Sequence, residues 1–257
     1  MIKPFFLISL TLIFLSGCSI FGGDKDTRKS LSNGLSPKVL YTSAKEKVQD
    51  GSIEKAIEQF KIILVSYPNS KYAIQAHLDI AYNLYKQKKF AQSLSMLNKF
   101  IEKYPALPST PYAYYLRGVI AEEKSKSILD NLITDSAQRD VESVRNAYAY
   151  YLVLIDLFPN SKYSEDASKK LTSLRNTLAR HEFYVAIYYT GTNSHIAAIN
   201  RSKFIIENYP NSSSIPDSLH LMAYNYDEIN AKQLAIDVRN ILTSSYPSYS
   251  PQYSINK

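Results

Sequence analysis

The chain has 257 residues, 30 basic against 23 acidic side chains for a formal charge of +7, 7 glycines, no tryptophan and a single cysteine. One cysteine excludes an intrachain disulfide and any cysteine-cluster metal site, so stability must come from packing. Few glycines, and no run that alternates polar and apolar residues, argue against β structure and for an all-α fold.

Met1 to Pro4 carry one lysine, and Phe5 to Leu15 form an apolar run too short to cross a bilayer as a permanent helix. Residues 1–17 therefore read as a signal peptide. The segment Leu15-Ser16-Gly17-Cys18 matches the lipobox of bacterial lipoproteins, in which cleavage precedes an acylated cysteine; Cys18 is the expected lipidation site. Two or three acyl chains give stable anchoring where one would not. Ser19, where an aspartate would signal retention, resembles the sorting pattern for the periplasmic face of the outer membrane. Cleavage leaves 240 residues with a charge of +6, and residues 18–37, rich in Ser, Gly, Asp, Lys and Arg, read as a flexible tether. No second apolar segment is long enough to span. Export removes the chain from nucleic acid, and its scattered charges read as a solvated surface.

Five aromatic–proline pairs punctuate the body: Tyr67-Pro68, Tyr104-Pro105, Phe158-Pro159, Tyr209-Pro210 and Tyr246-Pro247. Twelve residues before each proline stands a small residue, Ala56, Ser93, Ala147, Ala198 or Ala235, which is the offset of the tetratricopeptide pattern. Counting back one, five, eight and twelve gives Tyr67, Ile63, Phe60 and Ala56 in the first unit, steps that stay on one side of a helix. The face weakens in the last two units, where Ser202 and Arg239 take the minus-eight position. Proline ends each second helix, and Asn69-Ser70, Asn160-Ser161 and Asn211-Ser212 offer oxygens to cap the next.

The prolines lie 37, 54, 51 and 37 residues apart, against a standard period of about 34. This spacing predicts a tetratricopeptide-repeat solenoid of about five helix pairs: units 1 and 2 over 38–108, unit 3 with a loop insertion near Ser125 to Gln138 over 109–162, and units 4 and 5 over 163–247. The absence of Pro and Gly between Tyr163 and Gly191 predicts one long helix near 164–189. Residues 248–257 read as a short polar tail without a motif.

Catalytic and metal signatures are missing. His181-Glu182 begins like a zinc-protease helix, but Val185 stands where the second ligand belongs. His77, His195 and His220 are isolated, and no phosphate loop or nucleophile elbow occurs. The expectation is a protein that is not an enzyme, needs no metal, and carries no cofactor beyond covalent lipid on Cys18.

The segments Tyr112-Ala-Tyr-Tyr-Leu-Arg-Gly118, Asp135-Ser-Ala-Gln-Arg-Asp140, Phe158-Pro-Asn-Ser-Lys-Tyr163, Leu178-Ala-Arg-His-Glu-Phe-Tyr-Val-Ala-Ile-Tyr-Tyr189 and Ala197-Ala-Ile-Asn-Arg201 resemble the BamD (ComL) family of outer-membrane assembly lipoproteins. The resemblance covers essentially the whole mature chain. It implies a subunit of the β-barrel assembly (BAM) complex that binds a POTRA domain of BamA, associates with other BAM lipoproteins, and helps receive the C-terminal signal of nascent outer-membrane proteins. For BamA the candidate is Arg201, where the family's Asn-Arg motif stands; Arg180 and Glu182 read as charge pairs bracing the long helix. Counting from the repeat register places Tyr41, Lys45, Tyr82, Tyr85, Tyr112 and Tyr115 on first helices, as a peptide groove or as inter-repeat core, with Lys45 or Arg117 to meet a carboxylate. The alternative is a pilotin-type lipoprotein for secretin assembly, or an organiser of peptidoglycan synthesis.

Overall fold

The computed structural model describes residues 32–125 and 141–254. Cys18, the tether to residue 31, most of the predicted loop insertion, and Arg139-Asp140 lie outside them. Ten helices are seen among the described residues: α1 (Pro37–Gln49), α2 (Ile53–Ser66), α3 (Lys71–Lys86), α4 (Phe90–Lys103), α5 (Thr110–Ser125), α6 (Glu142–Leu157), α7 (Ser164–Gly191), α8 (His195–Asn208), α9 (Ile215–Glu228) and α10 (Lys232–Ser245). They form the five pairs of a tetratricopeptide array, with no strand among the described residues. The chain divides into two compact units, one ending at Ala76 and one beginning at His77. No described helix is long and apolar enough to cross a membrane.

Two local devices recur. Between the helices of four pairs the chain takes one left-handed residue, Gly51, Lys88, Asn193 or Asn230, at φ 77°, 57°, 56° and 59°. The next residue donates its N–H back to Lys47, Leu84, Tyr189 or Tyr226 at 2.8–2.9 Å. This is the Schellman arrangement, which satisfies carbonyls the helix end leaves unbonded. Glycine and asparagine tolerate the left-handed region; Lys88 takes it at some steric cost.

The second device is the aromatic–proline stop. Tyr67, Tyr104, Phe158, Tyr209 and Tyr246 cap their helices at φ between −125° and −137° and ψ between 54° and 65°. Each leaves the α region as a residue before proline must, yet still donates its N–H to the residue four back, Ile63, Phe100, Leu154, Ile205 or Leu242. In the second and third stops the hydroxyls of Thr110 and Ser164 donate to the carbonyls of Tyr104 and Phe158, closing the turn. The Asn-Ser caps hold only in part. Ser70 accepts from Ala73 N–H at 3.1 Å. Ser161 instead serves Tyr163 N–H, ahead of α7, and Ser212 Oγ is buried without a partner among the described residues. There Asn211 turns left-handed at φ 61°, which carries the chain round without a side-chain cap.

The small residues Ala56, Ser93, Ala147, Ala198 and Ala235 are all fully buried, as close helix approach requires. Ser93 is tolerated because its hydroxyl donates to the carbonyl of Ala81 at 2.6 Å. The larger face residues Phe60, Ile63, Leu97, Phe100, Tyr151 and Leu154 are equally inaccessible, and burying each contributes roughly 1.5–3 kcal/mol. Where the face weakens, Ser202 is buried with a hydroxyl that finds no partner among the described residues, and Arg239 pairs with Asp227.

The unit ending at Ala76 is built on α1 and α2, with Tyr41 against Phe60 and Tyr72 at 5.6 and 5.5 Å. In the unit from His77, the predicted long helix is α7, 28 residues and about 42 Å long, running two residues past the expected end. Its Thr190 hydroxyl, which bonds Ala186 carbonyl at 3.0 Å, accepts from Asn225 at 2.8 Å, while His195 bonds the other end of that amide at 2.9 Å, so α7, α8 and α9 share one polar knot.

The tail departs from the expectation of a featureless polar end. Tyr249 donates to Asp217 at 2.6 Å, Tyr253 bonds His220 Nδ1 at 2.7 Å, and the Tyr253 ring stands edge-on to Phe183 at 4.9 Å.

Two measurements check this packing. A Cβ on Gly118 would lie 2.3 Å from Tyr151 Cε1, so Gly118→Ala is expected to lower unfolding free energy by roughly 1–3 kcal/mol in urea titration. Burial first, then Arg239, holds the His220 pKa below its ordinary value, against the pull of Asp217. The neutral form is thus favoured on folding, and its stabilisation, complete above about pH 6.5, is lost as pH falls below that value. Tyr253→Ala should cost about 1–2 kcal/mol at pH 7.5, and His220→Gln should flatten the decline in stability between pH 7.5 and 5.5.

Candidate functional site

Three first helices of the larger unit present one face each. On α3 it carries Asp79, Tyr82 and Tyr85; on α5, Tyr112, Tyr115 and Glu122; at the start of α7, Tyr163, Asp166 and Lys170. Spacings of three and four keep each set on one side. Tyr82 and Tyr85 lie 6.2 Å apart, Tyr112 meets Tyr163 at 5.5 Å, and Tyr115 stacks on Tyr163 at 5.2 Å. Tyr115 donates to Asp166 at 2.7 Å, and Glu122 accepts from Lys170 at 2.9 Å and from Tyr151 at 3.1 Å.

By sequence each tyrosine fits either a groove or the inter-repeat core, and the structure divides them. Tyr112 and Tyr115 are half-buried and join α5 to α7, while Tyr82 is 42% exposed. Burial first, then the negative charge of neighbours including Asp79 for Tyr112 and Asp166 for Tyr115, pushes both phenols well above their ordinary pKa. They remain neutral hydrogen-bonding groups. Tyr41 and Lys45 stand on α1 in the other unit, both half-buried.

Arg117 is placed differently from the expectation. Two residues beyond Tyr115, it lies roughly 200° further round the helix, on the other side of α5. There its guanidinium lies 4.1 Å from the Tyr150 ring and 5.7 Å from Tyr114. It cannot meet a carboxylate held by Tyr112 and Tyr115. Among the described residues, the charged groups beside those tyrosines are mainly carboxylates, Asp79, Glu122 and Asp166, with Lys170 already paired.

Arg201, on α8, reaches across to α7. Its Nη1 donates to Glu182 at 2.9 Å, and Arg145 from α6 approaches the other oxygen at 3.8 Å. The Glu182 side chain is 6% exposed and that of Arg201 is 43% exposed. One buried carboxylate thus gathers two cations from two helices, and both arginines keep part of their surface in solvent. The missed member is Arg145; its only signal in the sequence is a cation at one turn's distance from Ala149 and Tyr148 on a helix not yet placed against α7. Arg180 is exposed on the same long helix.

A family model described as an outer membrane lipoprotein, YfiO, matches residues 34–241. The outer membrane protein assembly factor BamD of Neisseria gonorrhoeae is 33% identical over 247 residues, covering 95% of this chain and 91% of that protein. The chain belongs to the BamD family. BamD of Xylella fastidiosa strain Temecula1 is 31% identical over 93% of this chain and 80% of its own, and BamD of Haemophilus influenzae is 31% identical over 95% and 90%. The match to the YfiO model includes the tyrosine face and the Glu182 cluster, and stops before Tyr249 and Tyr253.

Because Arg201 offsets a buried charge, removing it alone leaves Glu182 with the more distant Arg145. Arg201→Gln should lower unfolding free energy by about 1–2 kcal/mol, a value discounted for exposure. Glu182→Gln combined with Arg201→Gln should recover most of that loss in the same denaturant titration.

Proposed function

We propose that this BamD-family chain is a non-enzymatic subunit of the β-barrel assembly complex. Lipid on Cys18 holds it at the periplasmic face of the outer membrane, where it scaffolds BamA and helps receive the C-terminal segments of nascent outer-membrane proteins. The observation that carries this reading is similarity to named assembly factors along 93–95% of the chain. The fold suits the role, since stacked pairs offer extended surface for peptides and domains.

Arg201 is the proposed contact for an acidic group of a BamA POTRA domain. Its guanidinium is steered by Glu182 yet partly in solvent, so it can share its remaining donors with a partner carboxylate. Tyr82 and Tyr85, with the accessible edges of Tyr112 and Tyr115, are proposed contacts for aromatic side chains of client segments; Tyr41 and Lys45 are proposed as a separate contact on α1.

The test is co-purification from detergent-solubilised envelope. The wild-type chain should recover BamA and other BAM lipoproteins, and recovery of a secretin in place of BamA would overturn the reading. Arg201→Gln should reduce BamA recovery, and the Glu182→Gln, Arg201→Gln pair should leave it reduced despite restored stability. Full recovery by the pair would show that Arg201 acts only through its intramolecular bond.

A further inference from the structure

The array ends in a segment that belongs to no repeat. Residues 246–254 follow α10 without forming helix or strand, and among them only Tyr249 and Tyr253 are half-buried; Ser250, Pro251 and Gln252 between them are exposed. Pro251 holds the residue before it out of the α region, and in an extended chain residues four apart point to the same side. Two phenols therefore meet the body while the residues between them face solvent.

Their seat is made by α7 and α9. The Tyr249 hydroxyl donates to the Asp217 carboxylate at 2.6 Å, and the Tyr253 hydroxyl meets His220 Nδ1 at 2.7 Å. The Tyr253 ring stands edge-on at 4.9 Å to Phe183, which is only 4% exposed beneath it. The His220 ring lies against both phenols, 5.9 Å from Tyr249 and 5.8 Å from Tyr253. Burial first, then Asp217, pushes both phenols above their ordinary pKa, so each stays a neutral hydrogen-bonding group. A carboxylate, an imidazole nitrogen and an aromatic edge together read two tyrosine side chains and leave the residues between them unread.

Seat and occupant are separable. The family match, residues 34–241, spans Phe183, Asp217 and His220 and stops before the tail. The tail is fixed by two side chains rather than by a helix face, so it can lift without unfolding α9 or α10.

We propose that the seat on α7 and α9 is a docking site for an extended segment of a partner protein bearing two tyrosines four residues apart, and that the chain's own tail guards it in cis. The seated tail shows the chemistry the site accepts. Joined to α10 through residues 246–248 alone, it acts at an effective concentration on the order of millimolar, so a free segment of equal affinity competes poorly and a partner held by a second contact competes well. The seat needs nothing from Arg201 or from the tyrosine face.

The test is surface plasmon resonance with the full chain immobilised in detergent and a peptide of residues 247–254 flowed over it at up to about millimolar concentration. Tyr249→Ala combined with Tyr253→Ala frees the seat without altering it, and the peptide should bind this variant at least about tenfold more tightly than the wild-type chain. Tyr253→Ala alone should give an intermediate gain, and it decides the matter where the double variant does not fold. Replacing both peptide tyrosines by phenylalanine should weaken binding to the opened chain about tenfold, as loss of two phenol hydrogen bonds does. The protein is the same in that comparison, so no loss of fold can imitate the effect. Adding Asp217→Asn to the opened chain should weaken the tyrosine peptide and leave the phenylalanine peptide unchanged. Absence of binding to both opened variants, equal binding by wild-type and opened chains, equal binding of the two peptides, or indifference to Asp217→Asn overturns the proposal and leaves the tail as a cap on the array. Dimers of the wild-type chain that the peptide dissolves, seen by analytical ultracentrifugation, would give the seat to a second copy's tail and overturn it as well.

Discussion

The fold depends on how one residue is held, five times over, where an aromatic side chain precedes proline. Proline forces the backbone before it out of the α region, so the helix must end there. The aromatic residue nevertheless keeps its N–H bonded one turn back and its ring near the body of the protein, with Tyr104 at 5.2 Å from Phe100 and Tyr209 at 5.8 Å from Phe204. Termination and packing are thus joined in a single residue. Each second helix stops in the same phase, and the small residue twelve positions before the proline meets its neighbour in the same phase too.

That coupling explains why so much of the architecture was legible. Five pairs and the uninterrupted α7 follow from punctuation and from helix-period spacing, both short-range properties of the chain. The failures are long-range. Nothing local distinguishes Ser70, which caps, from Ser212, which does not, because the difference lies in the left-handed Asn211 and in what surrounds it. Arg117 looked like a companion of Tyr115 by sequence distance, yet two residues on a helix are nearly opposite in space. The carboxylates at Asp79, Glu122 and Asp166 could have been found by extending the same register that selected the tyrosines.

The charge arrangement separates two kinds of surface on one repeat pair. Toward α7, α5 presents tyrosines among carboxylates, and their hydroxyls and rings are largely spent on joining successive repeats. Toward α6 it presents Tyr114 and Arg117, whose guanidinium lies over the Tyr150 ring. Glycine at 118 is what permits α5 and α6 to come close enough for both faces to form, since the Tyr151 ring occupies the space a methyl group would need.

The clasp formed by Tyr249 and Tyr253 has a consequence for cooperativity. In a stacked array each pair ordinarily senses only its neighbours, and the terminal pair, with no successor, is the first to fray. Here the chain turns back after α10 to touch Asp217 and His220 on α9 and Phe183 on α7. A fluctuation that opens the end must therefore also release the long helix, so the fourth and fifth pairs open and close together rather than one after the other.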